Sequence, residues 1–195
     1  MKFVTSNLVV AGFIALIFIF YGLVALRRKA KLRSLAIELG GTFLDKGLFA
    51  PGKITGNDFS LDVHCVGMGR YRRYRTTLKV SAPQAPSTYL LKTSFFENYP
   101  DWKHVKVLGT ASERAFITTI TFPRYLELSP DQREILLAWL GRASVDFMEV
   151  YQTLKKNRIK EITLSEASVT TTFKGIVFNV DLLRGPLNAL RRLSH

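Results

Sequence analysis

The strongest hint of catalytic chemistry is a carboxylate and an imidazole two residues apart, Asp62 and His64. Alternate residues of a β-strand share a face, so these side chains can approach each other and His64 can act as a general base. No serine or cysteine is placed as a nucleophile, because Cys65 belongs to the opposite face of the strand. An exposed polar pair is therefore favoured, and a hydrolase using Asp62 and His64 is the alternative.

Glycine-rich segments and possible metal ligands predict no cofactor. Residues 47–53 satisfy the pattern G-x-x-x-x-G-K, but the next residue, Ile54, has no hydroxyl to ligate magnesium. The following residues 55–58 predict a turn and a strand, whereas a phosphate loop leads into a helix. The single cysteine and the three histidines match no zinc spacing. We predict no catalytic residue, no cofactor, no metal and no small-molecule substrate.

Positive charge is the dominant property of the chain, with a formal net charge of +13. The basic residues concentrate in segments 27–33, 70–79 and 155–160, and the middle segment begins with the sequence RYRRYR. Arginine forms bidentate bonds with phosphate or carboxylate, and tyrosine can lie at a lipid headgroup boundary. We predict contact with anionic phospholipid or a partner protein; a solvated basic surface and a nucleic-acid site over Arg70–Lys79 are the alternatives. The predicted contact residues are Arg27, Arg28, Lys29, Lys31, Arg33, Arg70, Tyr71, Arg72, Arg73, Tyr74, Arg75 and Lys79.

An uncharged apolar run over residues 8–26 precedes this charge. At about 1.5 Å per residue, one helix of this length crosses a hydrocarbon core of roughly 30 Å. Five basic residues follow within segment 27–33, whereas Lys2 alone precedes the run. The positive-inside rule therefore predicts a single-pass anchor in the inner (cytoplasmic) membrane, with residues 1–7 outside and the C-terminal part in the cytoplasm. The run exceeds the apolar core of a signal peptide and lacks a clear cleavage site, so we expect it to be retained.

The predicted span also has a face of small residues. At about 100° per residue, Ala11, Ala15, Gly22 and Ala25 lie within a narrow arc of the helix, with the bulky Phe18 between them. Small residues let another membrane helix approach closely, since packing drives helix association in lipid. We predict that this face packs against helices of other membrane protein subunits; a chance alignment is the alternative, since alanine and glycine are common in membrane helices.

Beyond the span, the pattern predicts a basic juxtamembrane helix over 27–40 and one α+β domain over 41–195. Alternating apolar and polar residues predict a mainly antiparallel sheet with one solvated face, accompanied by two or three helices. The predicted strands cover residues 59–66, 74–82, 88–93, 105–108, 115–122, 158–164, 169–173 and 176–180. The predicted helices cover residues 130–154, opened by Ser129 as cap and Pro130, and residues 181–193.

Together these features predict a non-enzymatic, membrane-anchored protein. In its layout, with one N-terminal span and a small α+β domain, the chain resembles many bacterial membrane-anchored proteins, which implies a class and no chemistry. The predicted role is that of an accessory or assembly subunit of a membrane protein complex. Its basic cytoplasmic domain would contact partner subunits or anionic lipid.

Overall fold

The computed structural model describes residues 2–47, 50–67, 73–86, 88–108, 125–143, 145–165 and 167–194, with the side chains of 2–9, 108, 125 and 126 left out. The helices within these ranges are α1 (Lys2–Glu38), α2 (Ser94–Glu97), α3 (Pro130–Leu140), α4 (Phe147–Lys156) and α5 (Asp181–Leu193). The strands are β1 (Thr42–Leu44), β2 (Gly52–Thr55), β3 (Phe59–Val66), β4 (Arg73–Ser81), β5 (Tyr89–Lys92), β6 (Val105–Leu108), β7 (Tyr125–Leu126), β8 (Glu161–Ser165) and β9 (Ser168–Lys174). The predicted α+β class with an apolar N-terminal helix is confirmed.

The strands form one antiparallel sheet in the order β1-β2-β3-β4-β9-β8-β5-β6-β7. One face carries the core, as a row of buried residues at one register level illustrates: Ile54, Leu61, Leu78, Thr171, Ile162 and Leu91. Helix α5 packs on this face through Leu183, Leu187 and Leu190. The other face is polar along the central strands, as the alternation predicts.

Several short strands were not predicted from the sequence. Strands β1 and β7 have three and two residues, too few to display an alternation, and β2 (GKIT) has one large apolar side chain in four residues. Gly52 has a φ of +103°, and a Cβ at this position would lie 2.6 Å from the Phe43 ring. The backbone therefore requires glycine at the start of β2. This residue is also the second glycine of the pattern G-x-x-x-x-G-K over residues 47–53. The predicted strand over 115–122 lies outside the described residues.

The predicted strand over 176–180 is wrong. Gly175 adopts a φ of +83° and turns the chain away from β9, whose two sides are already paired with β4 and β8. The Val177 amide donates instead to the Thr76 hydroxyl over 3.1 Å. The segment therefore lies against the core face, where Thr76 and Val177 are buried, and leads into α5.

The predicted helix over 130–154 is divided in two. Helix α3 begins with a capping box in which the Ser129 hydroxyl accepts from the Gln132 amide, as the Ser-Pro pair predicts. It ends at Leu140, where Gly141 follows as the C-cap. The Asp146 side chain accepts from the Met148 amide and caps α4 as a separate helix.

Helix α1 joins two environments without interruption. Its described apolar part is exposed on the surface of the chain, and the helix is long and apolar enough to cross a membrane. Its last turns instead enter the core of the sheet domain through Leu32, Leu35 and Ala36. It ends where predicted, because Gly40 adopts a φ of +69° and the Gly41 amide donates to the Ala36 carbonyl. The segment over 27–40 is therefore part of the domain as well as part of the helix.

Candidate functional site

The basic segments separated in sequence meet beside the point where α1 leaves its apolar part. Arg28 Nη1 donates to the Tyr74 hydroxyl over 3.2 Å, and its guanidinium lies 5.1 Å from the centre of that ring. Lys31 Nζ lies 5.5 Å from the Phe178 ring, in the connection that follows β9. The start of β4 and the end of β9 therefore lie against the first helical turns after the apolar run.

The strands run roughly alongside this part of α1. At its far end, a Cβ on Gly41 would lie 2.9 Å from the Thr55 carbonyl oxygen. Thr55 pairs with Ser60, which in turn pairs with Lys79, five residues along β4 from Tyr74. The start of β4 is thus the end of the sheet nearest the apolar part of α1. We call this the basic end of the sheet and define it by its described cations: Arg73, Arg75, Arg158, Lys160 and Lys174.

A cavity of about 630 Å³ opens at this end, between the last residues of β9 and the chain that enters β8. We call it the cationic cleft. Four cations line it, namely Arg75, Arg158, Lys160 and Lys174, and Glu161 is the one acid among its lining residues. Because β8 begins at Glu161, opposite Thr172, the ends of the two neighbouring chains separate and leave this opening.

The joint between α1 and the domain contains a buried cation. The Lys29 side chain is 7% exposed, and its Nζ lies 2.5 Å from Asp45 Oδ1. Its hydrogen bond and that of the Gly47 amide lower the pKa of Asp45 below its ordinary value. Arg33 lies 3.8 Å from the same carboxylate and 5.6 Å from the Phe43 ring. These contacts fix the direction in which the domain leaves the helix.

We expect Asp45→Asn to destabilise the joint, because the buried Lys29 ammonium loses its counter-charge. A carboxylate whose folded pKa is lowered stabilises the fold above its unfolded pKa, and this contribution is lost as the pH falls through the folded value. The thermal midpoint of the wild type should therefore fall below about pH 4, and that of Asp45→Asn should fall less steeply. Thermal unfolding followed by circular dichroism across this range measures both. The double variant Lys29→Met/Asp45→Asn removes the buried charge and should recover stability; if it is less stable than Asp45→Asn, the pair does not act as described.

The remaining predicted contact residues are divided by the fold. Arg27, Arg73 and Arg75 are exposed at or beside the basic end. Lys79 is exposed near the opposite end of β4, about 13 Å along the strand from Arg75. The predicted contacts Arg70, Tyr71 and Arg72 lie outside the described residues.

Asp62 and His64 lie on the polar face of β3, as predicted. The Asp62 carboxylate accepts from Lys46 Nζ over 2.8 and 3.0 Å. His64 stands opposite Arg75 in the register. No hydrogen bond joins Asp62 to His64 among the described atoms, and within the same ranges no three His, Cys, Asp or Glu side chains converge as a metal-binding group.

The residues predicted to pack against a partner helix are not covered by the described part of the domain. Ala11 and Ala15 are exposed, and Gly22 and Ala25 are half-exposed. A Cβ on Gly22 would meet no atom of the chain within 4 Å. No part of the described domain covers this face of α1.

Sequence reasoning missed three members of the basic end, Arg158, Lys160 and Lys174. The first two belong to the basic segment 155–160. The sequence shows that this segment is basic but does not indicate where it lies in the fold. Lys174 is an isolated lysine that only the pairing of β9 with β4 brings beside Arg75. Comparison with known proteins gives no match among family models, curated proteins or solved structures.

Proposed function

We propose that the protein is a non-enzymatic, single-pass membrane protein that serves as an accessory or assembly subunit of a larger membrane protein complex. Residues 8–26 cross the inner membrane with residues 1–7 outside, and the sheet domain lies in the cytoplasm. The basic end of the sheet contacts anionic phospholipid or partner subunits at the membrane surface.

The observation that carries the proposal is the contact between Arg28 and Tyr74. Arg28 follows the apolar run by two residues, which is about 3 Å of helix. If residues 8–26 fill the hydrocarbon core, Arg28 lies at headgroup level, and Tyr74 lies there with it. The neighbouring Arg73 and Arg75 are then within reach of lipid phosphates, each basic residue near an anionic surface contributing about 1 kcal/mol.

The exposed apolar surface of α1 supports the membrane location. Bulky residues point outward around the whole helix, among them Phe13, Leu16, Phe18, Ile19 and Phe20. A helix that is apolar on all sides is stable in a protein core or in lipid, and the sheet domain packs against its last turns alone among the described residues. Lipid is the environment that accounts for the rest.

The open face of Ala11, Ala15, Gly22 and Ala25 supports a partner helix. Close approach of two helices in lipid requires small side chains where the backbones meet. The complementary role of the basic end is to orient the domain once the helices have packed. Partner binding through α1 and lipid contact through the domain are thus two parts of one proposed function.

We expect the double variant Ala15→Leu/Gly22→Leu to lose its partner. The added side chains separate the helices, and the fraction of the chain in a complex should fall about tenfold or more. The measurement is extraction of native membranes in mild detergent, followed by size-exclusion chromatography and mass spectrometry of the species that migrate with the chain. Phe20→Leu, on the opposite side of the helix, is the matched control and should retain the complex. Migration of the wild type as a bare monomer would contradict the proposal.

A further inference from the structure

We propose that the cationic cleft binds a phosphomonoester, the dianionic phosphate group carried by some lipids and by many soluble metabolites. The inference deepens the proposed function, on which it rests for the nearness of the cleft to lipid. It names the chemical group that this part of the basic end recognises. Four observations support it.

The first observation is uncompensated charge. Arg75, Arg158, Lys160 and Lys174 line the cleft, and none of them forms an ion pair with a residue in the described ranges. Glu161 is the one acid of the lining, so four cations and one carboxylate leave the cleft with a net charge of +3. The lining therefore attracts an anion of more than one charge.

The second observation is the register of the strands. Arg75 stands directly opposite Lys174 on one side and opposite His64 on the other. Like charges directly opposite each other destabilise a sheet, and no carboxylate occupies the same row on β3, β4 or β9. An anion bound between Arg75 and Lys174 would remove this repulsion.

The third observation is the backbone of Arg158. This residue has a φ of +57°, in the left-handed region where glycine is preferred. It closes α4, since its amide donates to the Lys155 carbonyl and the Ile159 amide donates to the Leu154 carbonyl. Glycine would adopt this turn without strain, whereas Arg158 adopts it at a conformational cost. Its bidentate donor geometry is suited to a phosphate.

The fourth observation is the shape and lining of the cleft. A volume of about 630 Å³ is much larger than one phosphate group and leaves room for an attached organic group. Thr163 and Thr172 offer hydroxyl donors, whereas Val177 and the exposed Leu182 provide an apolar wall. This combination suits an amphiphilic ligand with an anionic head.

The test uses the full chain in mild detergent with two phosphomonoesters that differ in source. Glycerol 3-phosphate, titrated calorimetrically, represents the soluble source. Phosphatidic acid, added to the micelles and followed by native mass spectrometry, represents the lipid source, and phosphatidylglycerol is the phosphodiester comparison. Saturable binding of either phosphomonoester, with phosphatidic acid preferred over phosphatidylglycerol in the lipid arm, identifies the source and supports the site.

Variants connect this binding to the cleft. Arg158→Gly should raise the dissociation constant about tenfold, and Arg75→Gln/Lys174→Gln about a hundredfold, because charge-assisted hydrogen bonds are lost. Arg158→Gly also relieves the left-handed strain, so its thermal midpoint should stay equal to or above that of the wild type. Arg142→Gln, at an exposed arginine after α3 that does not line the cleft, should change the constant by less than about twofold.

Three results would overturn the inference: no binding of either phosphomonoester, equal affinity of Arg158→Gly and wild type, or, where phosphatidic acid binds, equal binding of phosphatidylglycerol. These measurements do not require α1 to cross a bilayer. Their failure with α1 still integrated into membranes would remove the phosphomonoester site alone. Failure of α1 to integrate would contradict the proposed function, whereas binding of glycerol 3-phosphate to the cleft would still support the phosphomonoester site.

Discussion

Replacing Leu35 with alanine lowers the free energy of unfolding of the sheet domain by about 3 kcal/mol. Leu35 is 1% exposed and belongs to the core, although it lies on the same continuous helix as the apolar run. The substitution removes buried apolar surface and leaves a cavity where the helix joins the domain. Urea unfolding of the full chain in detergent, followed by the fluorescence of the buried Trp139, measures the loss.

The neighbouring Ile37 provides the matched control. It is 80% exposed on the same turn of α1, so Ile37→Ala should change the stability by less than about 0.5 kcal/mol. If both variants have the same stability as the wild type, the last turns of α1 are a detachable linker. Arg28 would then not hold the basic end of the sheet at a fixed height above the apolar run.

Placing an arginine in the middle of the apolar run should prevent stable membrane integration. Ile17 is at the centre of residues 8–26 and outside the arc of small residues, so Ile17→Arg tests the span without changing the predicted packing face. A central arginine disfavours insertion by about 3 kcal/mol, which corresponds to about a hundredfold in the insertion equilibrium. Alkaline carbonate extraction of membranes separates integrated from released chains and gives the ratio directly.

The same substitution at an exposed position of the domain-bound part of the helix controls for added charge. Ile37→Arg should leave the chain integrated, because the proposed span ends before this residue. Release of both variants would indicate a general effect of charge on the fold. Retention of Ile17→Arg in the carbonate-resistant fraction would contradict the proposed span.

Much of the local structure could be predicted because short-range physics decides it. The alternation over 59–66 and 105–108 gives strands β3 and β6 with the observed bounds. The Ser129-Pro130 pair gives the start of α3, and Gly40-Gly41 gives the end of α1. The pattern failed at 176–180, where a run of apolar residues satisfied the strand template while both sides of β9 were occupied by other strands.

The sequence indicated only part of the candidate site. Segments 27–33, 70–79 and 155–160 are basic on inspection, but the register of β4 with β9 brings Lys174 beside Arg75 and leaves Lys79 at the far end. Lys29 belongs to the predicted lipid-contact set, yet it is turned inward and paired with Asp45. Which cations are exposed at the basic end therefore depends on pairings between residues far apart in the chain.

The sequence by itself determined the apolar run, the excess of positive charge behind it and the α+β class, since composition and periodicity are properties of neighbouring residues. Only the tertiary structure decided that α1 is held to the sheet by Leu32, Leu35 and the Arg28–Tyr74 contact, and that separate basic segments meet at one end. The physical reason is that strand order and register are set by burial and hydrogen bonding between distant segments. No local pattern in the chain encodes that meeting.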